Sequence, residues 1–212
     1  MSFVEYQAAP WAPEPFVYTA VPAAAPYGRL QLHRRGDEHR AAVEGFVAEV
    51  YRRHFAARLQ HFMPVLVSLG GDGATSAAAG YRGAVEPLFL ERYLQEPIEQ
   101  VLARAAGKAV AREHIVEVGQ FAARRAGEGR RLMRALARHL VDSGFRWAVI
   151  TATADLRRLF GHLRLCALPL ATAQRHCIGN EARLWGSYYR HAPKVLAGDL
   201  VLNLDRLEHG RS

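Results

Sequence analysis

The chain has 212 residues, 50% hydrophobic and 23% charged, a balance that fits a soluble folded core and excludes a disordered or fibrous protein. No window approaches the roughly 18–20 consecutive apolar residues of a membrane-spanning helix, which argues against an integral membrane protein. The net charge is +8, and of 28 basic residues only Lys108 and Lys194 are lysine. This arginine surplus suits anionic partners such as a phosphorylated cofactor, an acidic protein or a peripheral membrane surface, and no nucleic-acid-binding motif accompanies it.

Residues 1–28 are rich in Ala and Pro and lack a basic start, so they read as an extended arm and not as a secretory signal. Trp11, Phe16, Tyr18 and Tyr27 are available to anchor it, and 29–212 then form a single domain. Leu30–His33 alternates as a short strand. Asp37–Arg53 places Val43, Phe46, Val47 and Val50 on one face of a helix, with a further helical piece reaching Leu59. Phe62–Leu69 and Ala77–Val85 read as strands joined through the turn cluster Gly70, Gly71, Asp72 and Gly73.

Glu91–Ala106 spaces Tyr93, Leu94, Ile98, Val101 and Leu102 as a helix stopped by Gly107, either a core helix or a cover for a lipid chain. Ile115–Ala122 is a strand, Gly129–Ser143 a helix closed by Gly144, Phe145–Thr153 a strand and Ala154–Leu163 a helix. This order implies a parallel strand pair with a right-handed crossover. The remainder, Leu165–Leu204, mixes short strands with an aromatic patch. The expected class is α+β (α/β), a mixed central sheet flanked by helices. Cys166 and Cys177 have no metal-ligand spacing, so reduced thiols and a cytoplasmic location are expected.

The segment Val116–Arg131 carries the most information. An apolar strand runs into an Arg/Gly turn and then into the helix of Leu132, Met133, Leu136 and Leu140. Glycine at 127 and 129 lets backbone amides approach a ligand, and a helix start adds partial positive charge, which together outline a phosphate cradle. The bland alternative is an arginine-rich turn that only caps a helix.

Arg124-x-x-Gly127-x-Gly129 resembles the pyrophosphate loop of the GCN5-related N-acetyltransferase superfamily. That resemblance implies a donor, acyl-CoA or acyl-phosphopantetheine, held by Phe121, Ala122, Ala123, Arg124, Gly127, Glu128, Gly129 and Arg130. In that superfamily the preceding strand splays from its neighbour and pantetheine adds to its open backbone edge. Glu117-x-x-Gln120-Phe121 and Gly80-Tyr81-Arg82 are similar to segments of acyl-homoserine lactone synthases and N-acyl amino acid synthases, although Gln120 stands where those enzymes carry Arg. Four longer stretches resemble the thermostable hemolysin family: Phe89-Leu90-Glu91-x-Tyr93-Leu94-x-x-Pro97-Ile98-Glu99, Glu117-Val118-Gly119, Trp185-Gly186-x-Tyr188-Tyr189 and Pro193-x-Val195-x-Ala197-Gly198. This family is generally given an acetyltransferase-like fold.

Amide formation from a thioester needs a free amine, a polarised carbonyl and a proton for the leaving thiolate. Glu117 is the candidate base, its alternative being an ion pair with Arg82 across neighbouring strands. Tyr188 and Tyr189 are candidates to protonate the thiolate or line the acceptor site, against the alternative of aromatic packing. Arg82, Gln120, Thr151 and Trp185 are assigned to the acceptor. Phe160 stands near where many acetyltransferases carry an acidic Tyr, so that role is vacant or moved. His114, His139, His162 and His176 form no metal set, and no Gly-x-Ser-x-Gly elbow occurs. The expected activity is an N-acyltransferase drawing on coenzyme A or an acidic acyl carrier protein and acting on an amine, such as an amino acid. The competing expectations are a cationic membrane-active hemolysin and a non-catalytic thioester-binding protein.

Overall fold

The structure, a computed structural model, describes residues 30–71 and 74–209. The arm expected over 1–28, with its candidate anchors, and the turn residues Asp72 and Gly73 lie outside the described residues. Among those described, strands β1 (Gln31–His33), β2 (Val65–Gly71), β3 (Ala74–Gly83), β4 (Ile115–Ala123), β5 (Trp147–Ala152), β6 (Leu168–Thr172) and β7 (Lys194–Asp199) form one sheet in the order β1-β2-β3-β4-β5-β7-β6. Only β4 and β5 are parallel; the other neighbours are antiparallel.

Helix α1 (Arg40–Phe55) buries Val43, Val47 and Tyr51 against β2–β4, a stripe at helical spacing. Buried Arg40 ties the helix start to the carbonyls of His33, Met63 and Pro64 at 2.8–2.9 Å. The helix does not reach Leu59, because Ala56 turns left-handed at φ 53° and its N–H bonds back to Arg52. Residues 56–64 cross to β2 without regular structure.

The helix expected over Glu91–Ala106 is two elements, a 3-10 turn at Phe89–Tyr93 and α2 (Ile98–Ala106). Pro97 lacks an N–H and pushes its predecessor out of the helical region, so the chain restarts there. Glu91 fastens the break: its carboxylate accepts from the amides of Leu88 and Ile98 (3.1 and 3.0 Å) and from Arg112 (2.7 and 2.9 Å). α2 buries Ile98 and Leu102 in the core, so it is a core helix, and Gly107 ends it at φ 66° as expected.

Helix α3 (Ala126–Asp142) is the crossover between β4 and β5 and starts three residues earlier than its apolar pattern. α4 (Ala154–His162) is capped by the Thr153 hydroxyl. α5 (Leu200–His209), which the strand-like reading of Leu165–Leu204 overlooks, buries Leu200, Leu204 and Leu207 and packs on α3.

Helices α3 and α5 pack on one sheet face, over Val67, Ala79, Tyr81, Val116 and Val118. The opposite face carries α1 over Leu66 and Ala78, then α2 and the 3-10 segments over Trp147, Val149, Val195 and Ala197. Outer strand β6 includes Pro169.

Arg112 holds the Glu91 carboxyl down to about 2, so Glu91 adds stability that is present above the ordinary carboxylate range and lost as pH falls through about 2. Replacing Glu91 with Gln is expected to cost about 1–3 kcal/mol at pH 7. Urea titrations should show that gap shrinking as the pH is lowered below the ordinary glutamate range.

Candidate active site

The parallel β4–β5 pair sends both carboxyl ends to one edge of the sheet, where open α/β sheets take their ligands. The two strands are paired only from Ile115↔Trp147 to Val118↔Ile150, although β4 continues to Ala123. Beyond Val118, β4 stays with β3 up to Ala77↔Ala123, and β5 stays with β7 up to Ala152↔Lys194. The sheet therefore forks, and the last five residues of β4 have no strand on their β5 side.

Gln120 causes the departure. It sits at φ 54°, a left-handed conformation rare outside glycine, where β4 takes one residue more than β3 between Gly80↔Gly119 and Ala78↔Ala122. The extra residue reverses the in-and-out alternation. Val116 and Val118 face α3, as does Phe121, whose ring lies 3.4 Å from where a side chain on Gly129 would start; Ala122 joins the α1 core instead. The Gln120 amide holds residues 61–63, accepting from the Met63 N–H (3.0 Å) and donating to the His61 carbonyl (2.7 Å).

At the head of the fork α3 begins. The first amides of a helix have no intrahelical acceptor and carry partial positive charge. Gly127 is exposed with open space where a Cβ would be, whereas buried Gly129 permits the close seating of α3 on Phe121 and Ala123. The Glu128 side chain turns away from the helix end, accepting from the Ser76 hydroxyl at 2.9 Å and pairing with Arg131. Arg124 leans over the Phe46 ring and donates to the Thr75 carbonyl (3.0 Å), while half-buried Arg130 belongs to the first turn.

On the face covered by α1 and the 3-10 segments lie Arg82, Glu117, Thr151, Trp185, Tyr188 and Tyr189. Arg82 and Glu117 are paired in register, with Arg82 Nε 3.6 Å from Glu117 Oε2, so the ion-pair alternative is present. Glu117 is 3% exposed, and its two oxygens accept from the amides of Phe89 (2.9 Å) and Leu90 (3.0 Å). Burial raises its pKa, opposed by those amides and by Arg82. A continuous aromatic path joins this carboxylate to β5: Phe89 meets Trp185 (5.9 Å), Trp185 meets Tyr188 (5.1 Å), and the Tyr188 hydroxyl donates to the Thr151 carbonyl at 2.9 Å. The Tyr189 hydroxyl bonds that of Tyr93 (2.7 Å), and burial lifts the pKa of both Tyr188 and Tyr189, keeping them protonated. Gly186, at φ 53°, fits this segment against α1: a side chain there would strike the Phe55 carbonyl.

Met63 had no signal of its own in the sequence. Its side chain lies over paired Gly80 and Gly119, 2.5–2.7 Å from where their Cβ atoms would be, and its sulfur accepts from Arg82 Nε at 3.4 Å. Two glycines brought opposite each other on adjacent strands mark such a close approach.

Across the sheet, between the α3–α5 layer and β4–β5–β7, is an apolar cavity of about 110 Å³. Phe121 lines it toward the fork, and Phe160 and Leu156 of α4 form one wall. Its other end is formed by Leu165, Cys166 and Asn203. Both cysteines are free. Among the described residues no group of three His, Cys, Asp or Glu side chains is arranged to hold a metal, and no helix is long and apolar enough to cross a membrane.

A forked mixed sheet with this helix arrangement is the GCN5-related acetyltransferase-like fold as found in acyl-homoserine lactone synthases. The AHL synthase LasI superposes with a TM-score of 0.60 at 15% identity, over 86% of this chain and 94% of that one. The CoA-dependent acyl-homoserine lactone synthase BjaI, solved with SAM and isopentyl-CoA, gives 0.56 at 14% over 85% and 88%. FeeM, an N-acyl amino acid synthase from uncultured soil microbes, gives 0.54 at 14% over 82% and 97%. The chain belongs to the thermostable hemolysin family, whose sequence profile matches residues 33–203. No curated protein sequence matches it.

Because the folded pKa of Glu117 lies above its unfolded value, its contribution to stability is fully present below about 4.5 and is lost as pH rises through the folded value. The stability of the wild type relative to Glu117→Gln should therefore be greatest in acid and decline toward neutrality. Paired denaturation curves across pH check this; a difference that grows with pH contradicts it.

Proposed function

We propose that this protein is an N-acyltransferase that moves an acyl group from a pantetheine thioester, on coenzyme A or a carrier protein, to an amine in the cytoplasm. The observation that carries this reading is the fork itself: an unpaired β4 edge headed by a helix N-terminus, with an apolar cavity on one face and a polar, aromatic cluster on the other. An extended pantetheine arm satisfies a free strand edge as a peptide strand does. The open helix start at Gly127, with Arg124, Arg130 and Ala123 beside it, would receive the pyrophosphate or the carrier phosphate, and Gly129 serves by letting α3 seat on Phe121 and Ala123. Phe121 and Ala122 flank the arm, and the cavity receives the acyl tail. Excess arginine favours encounter with an acidic carrier protein.

In this reading the amine approaches from the face of Arg82, Trp185 and Thr151. Gln120 acts on that side by placing residues 61–63. Glu117 takes the ammonium proton through a water, since each of its oxygens keeps a lone pair beyond the amide it accepts. The nitrogen attacks the thioester carbon, and backbone N–H groups of β4 stabilise the oxyanion. The C–S bond then breaks: Tyr188 or Tyr189 supplies a proton to the thiolate and is reprotonated by the second proton leaving the amide nitrogen, and Glu117 returns its proton to solvent. Arg82 balances the charge on Glu117 and in this reading would orient an acceptor carboxylate.

Incubating the protein with acyl thioesters and a panel of amino acids and other amines, and following free thiol, tests this directly. Thiol release that depends on the amine supports the proposal; no release and no thioester binding at any acyl length removes it. Gly127→Asp adds a negative charge at an open position without disturbing packing. It is expected to weaken thioester binding about tenfold, through repulsion of roughly 1–2 kcal/mol at the helix end, with a melting temperature that does not fall.

A further inference from the structure

The end of the cavity away from the fork is closed by a device that the proposed chemistry does not use. β4 and β5 run toward the fork, so α4, which follows β5, returns along the sheet and delivers residues 163–167 to the opposite end. There the loop is clasped by α5. Asn203 mimics a peptide: its Oδ1 accepts from the Cys166 N–H and its Nδ2 donates to the Cys166 carbonyl, each at 2.8 Å. One turn on, Arg206 donates to the Arg164 carbonyl at 2.6 Å, and Arg164 itself takes a left-handed turn at φ 54°. Gly198 makes room for the clasp, since a Cβ there would lie 2.8 Å from Asn203 Nδ2 and 3.3 Å from the Cys166 carbonyl.

Three features make this a gate and not simply a packed loop. Leu165, Cys166, Ala167, Gly198 and Asn203 all line the cavity. The bonds that shut it lie at solvent, because Cys166 and the clasping atoms are exposed, whereas α5 is held independently by buried Leu200, Leu204 and Leu207. The wall inside the gate is apolar, so a methyl terminus meets no polar group before the clasp. Val118, Ile150 and Leu196 lie on one row across the sheet, and Ala148 and Gly198 on a row two residues lower. With Phe121 above, the strand residues lining the cavity span four or five positions, or about 13–17 Å at the usual strand rise. This is comparable with an extended medium-chain acyl group.

We propose that Asn203, supported by Arg206, sets the acyl length: chains ending short of Cys166 bind with the loop closed, and longer ones must displace the Asn203–Cys166 clasp. This rests on the acyltransferase reading, and it assigns specificity to residues distant from the reacting atoms. Binding and turnover of octanoyl-, dodecanoyl- and hexadecanoyl-CoA are compared for wild type, Asn203→Ala and Arg206→Ala. The wild type should lose at least about tenfold in apparent affinity between the dodecanoyl and hexadecanoyl thioesters, and Asn203→Ala should reduce that step to about threefold or less. Arg206→Ala should move in the same direction. A second readout is alkylation of Cys166 by N-ethylmaleimide, located by peptide mass spectrometry. Hexadecanoyl-CoA should protect Cys166 in Asn203→Ala, and octanoyl-CoA should not. If the variants bind the thioesters with the wild-type length profile and unchanged Cys166 protection, the gate is refuted while the acyltransferase reading stands. If no thioester of any length binds, both fall.

Discussion

The left-handed residue in the middle of β4 is the constraint from which the site follows. A strand that kept its alternation would continue beside β5 and close the sheet. With Gln120 at φ 54°, one residue is absorbed, the alternation inverts, and β4 follows β3 while β5 follows β7. A strained residue persists only where its surroundings over-determine it. Here both polar atoms of the side chain are committed to His61 and Met63, so the conformation that opens the fork also fastens the segment covering Gly119.

The inversion also divides the labour between the two faces. Phe121 is turned to the apolar layer of α3 and α5, and Glu117, preceding the bulge, remains on the aromatic side with Arg82. The apolar side has almost no polar atoms to offer a ligand, and the other side is dense with them: a carboxylate bound by two amides, a guanidinium, and hydroxyls at Tyr188 and Tyr189. A thioester lying in the fork would have its tail and its electrophilic carbon in very different surroundings. The same rigid body, α3, touches both, with its first turn at the fork and Met133, Leu136 and Leu140 along the cavity.

Much of this was legible in the sequence. The order of elements, the parallel pair and the Arg/Gly turn before α3 follow from periodicity and from glycine and charge placement. The ion pair of Arg82 and Glu117 could be anticipated from two strands side by side. The single helix over Glu91–Ala106 failed because its apolar spacing spans Pro97, where the backbone cannot stay helical. α5 was missed although Leu200, Leu204 and Leu207 have helical spacing, since the preceding short strands invited continuation. The bulge was not legible, because a period of two carries no mark of one residue absorbed sideways. Gly80 and Gly119 hinted at a close approach, but only the register brings them together beneath Met63.

Pro169 in β6 has a further consequence. Outer strands of an open sheet invite pairing with other chains, and proteins blunt them by shortness or by removing a donor. β1 has only three residues, and β6 carries a residue without an N–H. Among the described residues the outer strands of the sheet are thus poor templates for aggregation, and the strand edge left without a partner along β4 is internal. A molecule that keeps its available strand edge inside itself can present it to a ligand at high concentration without the risk of self-association.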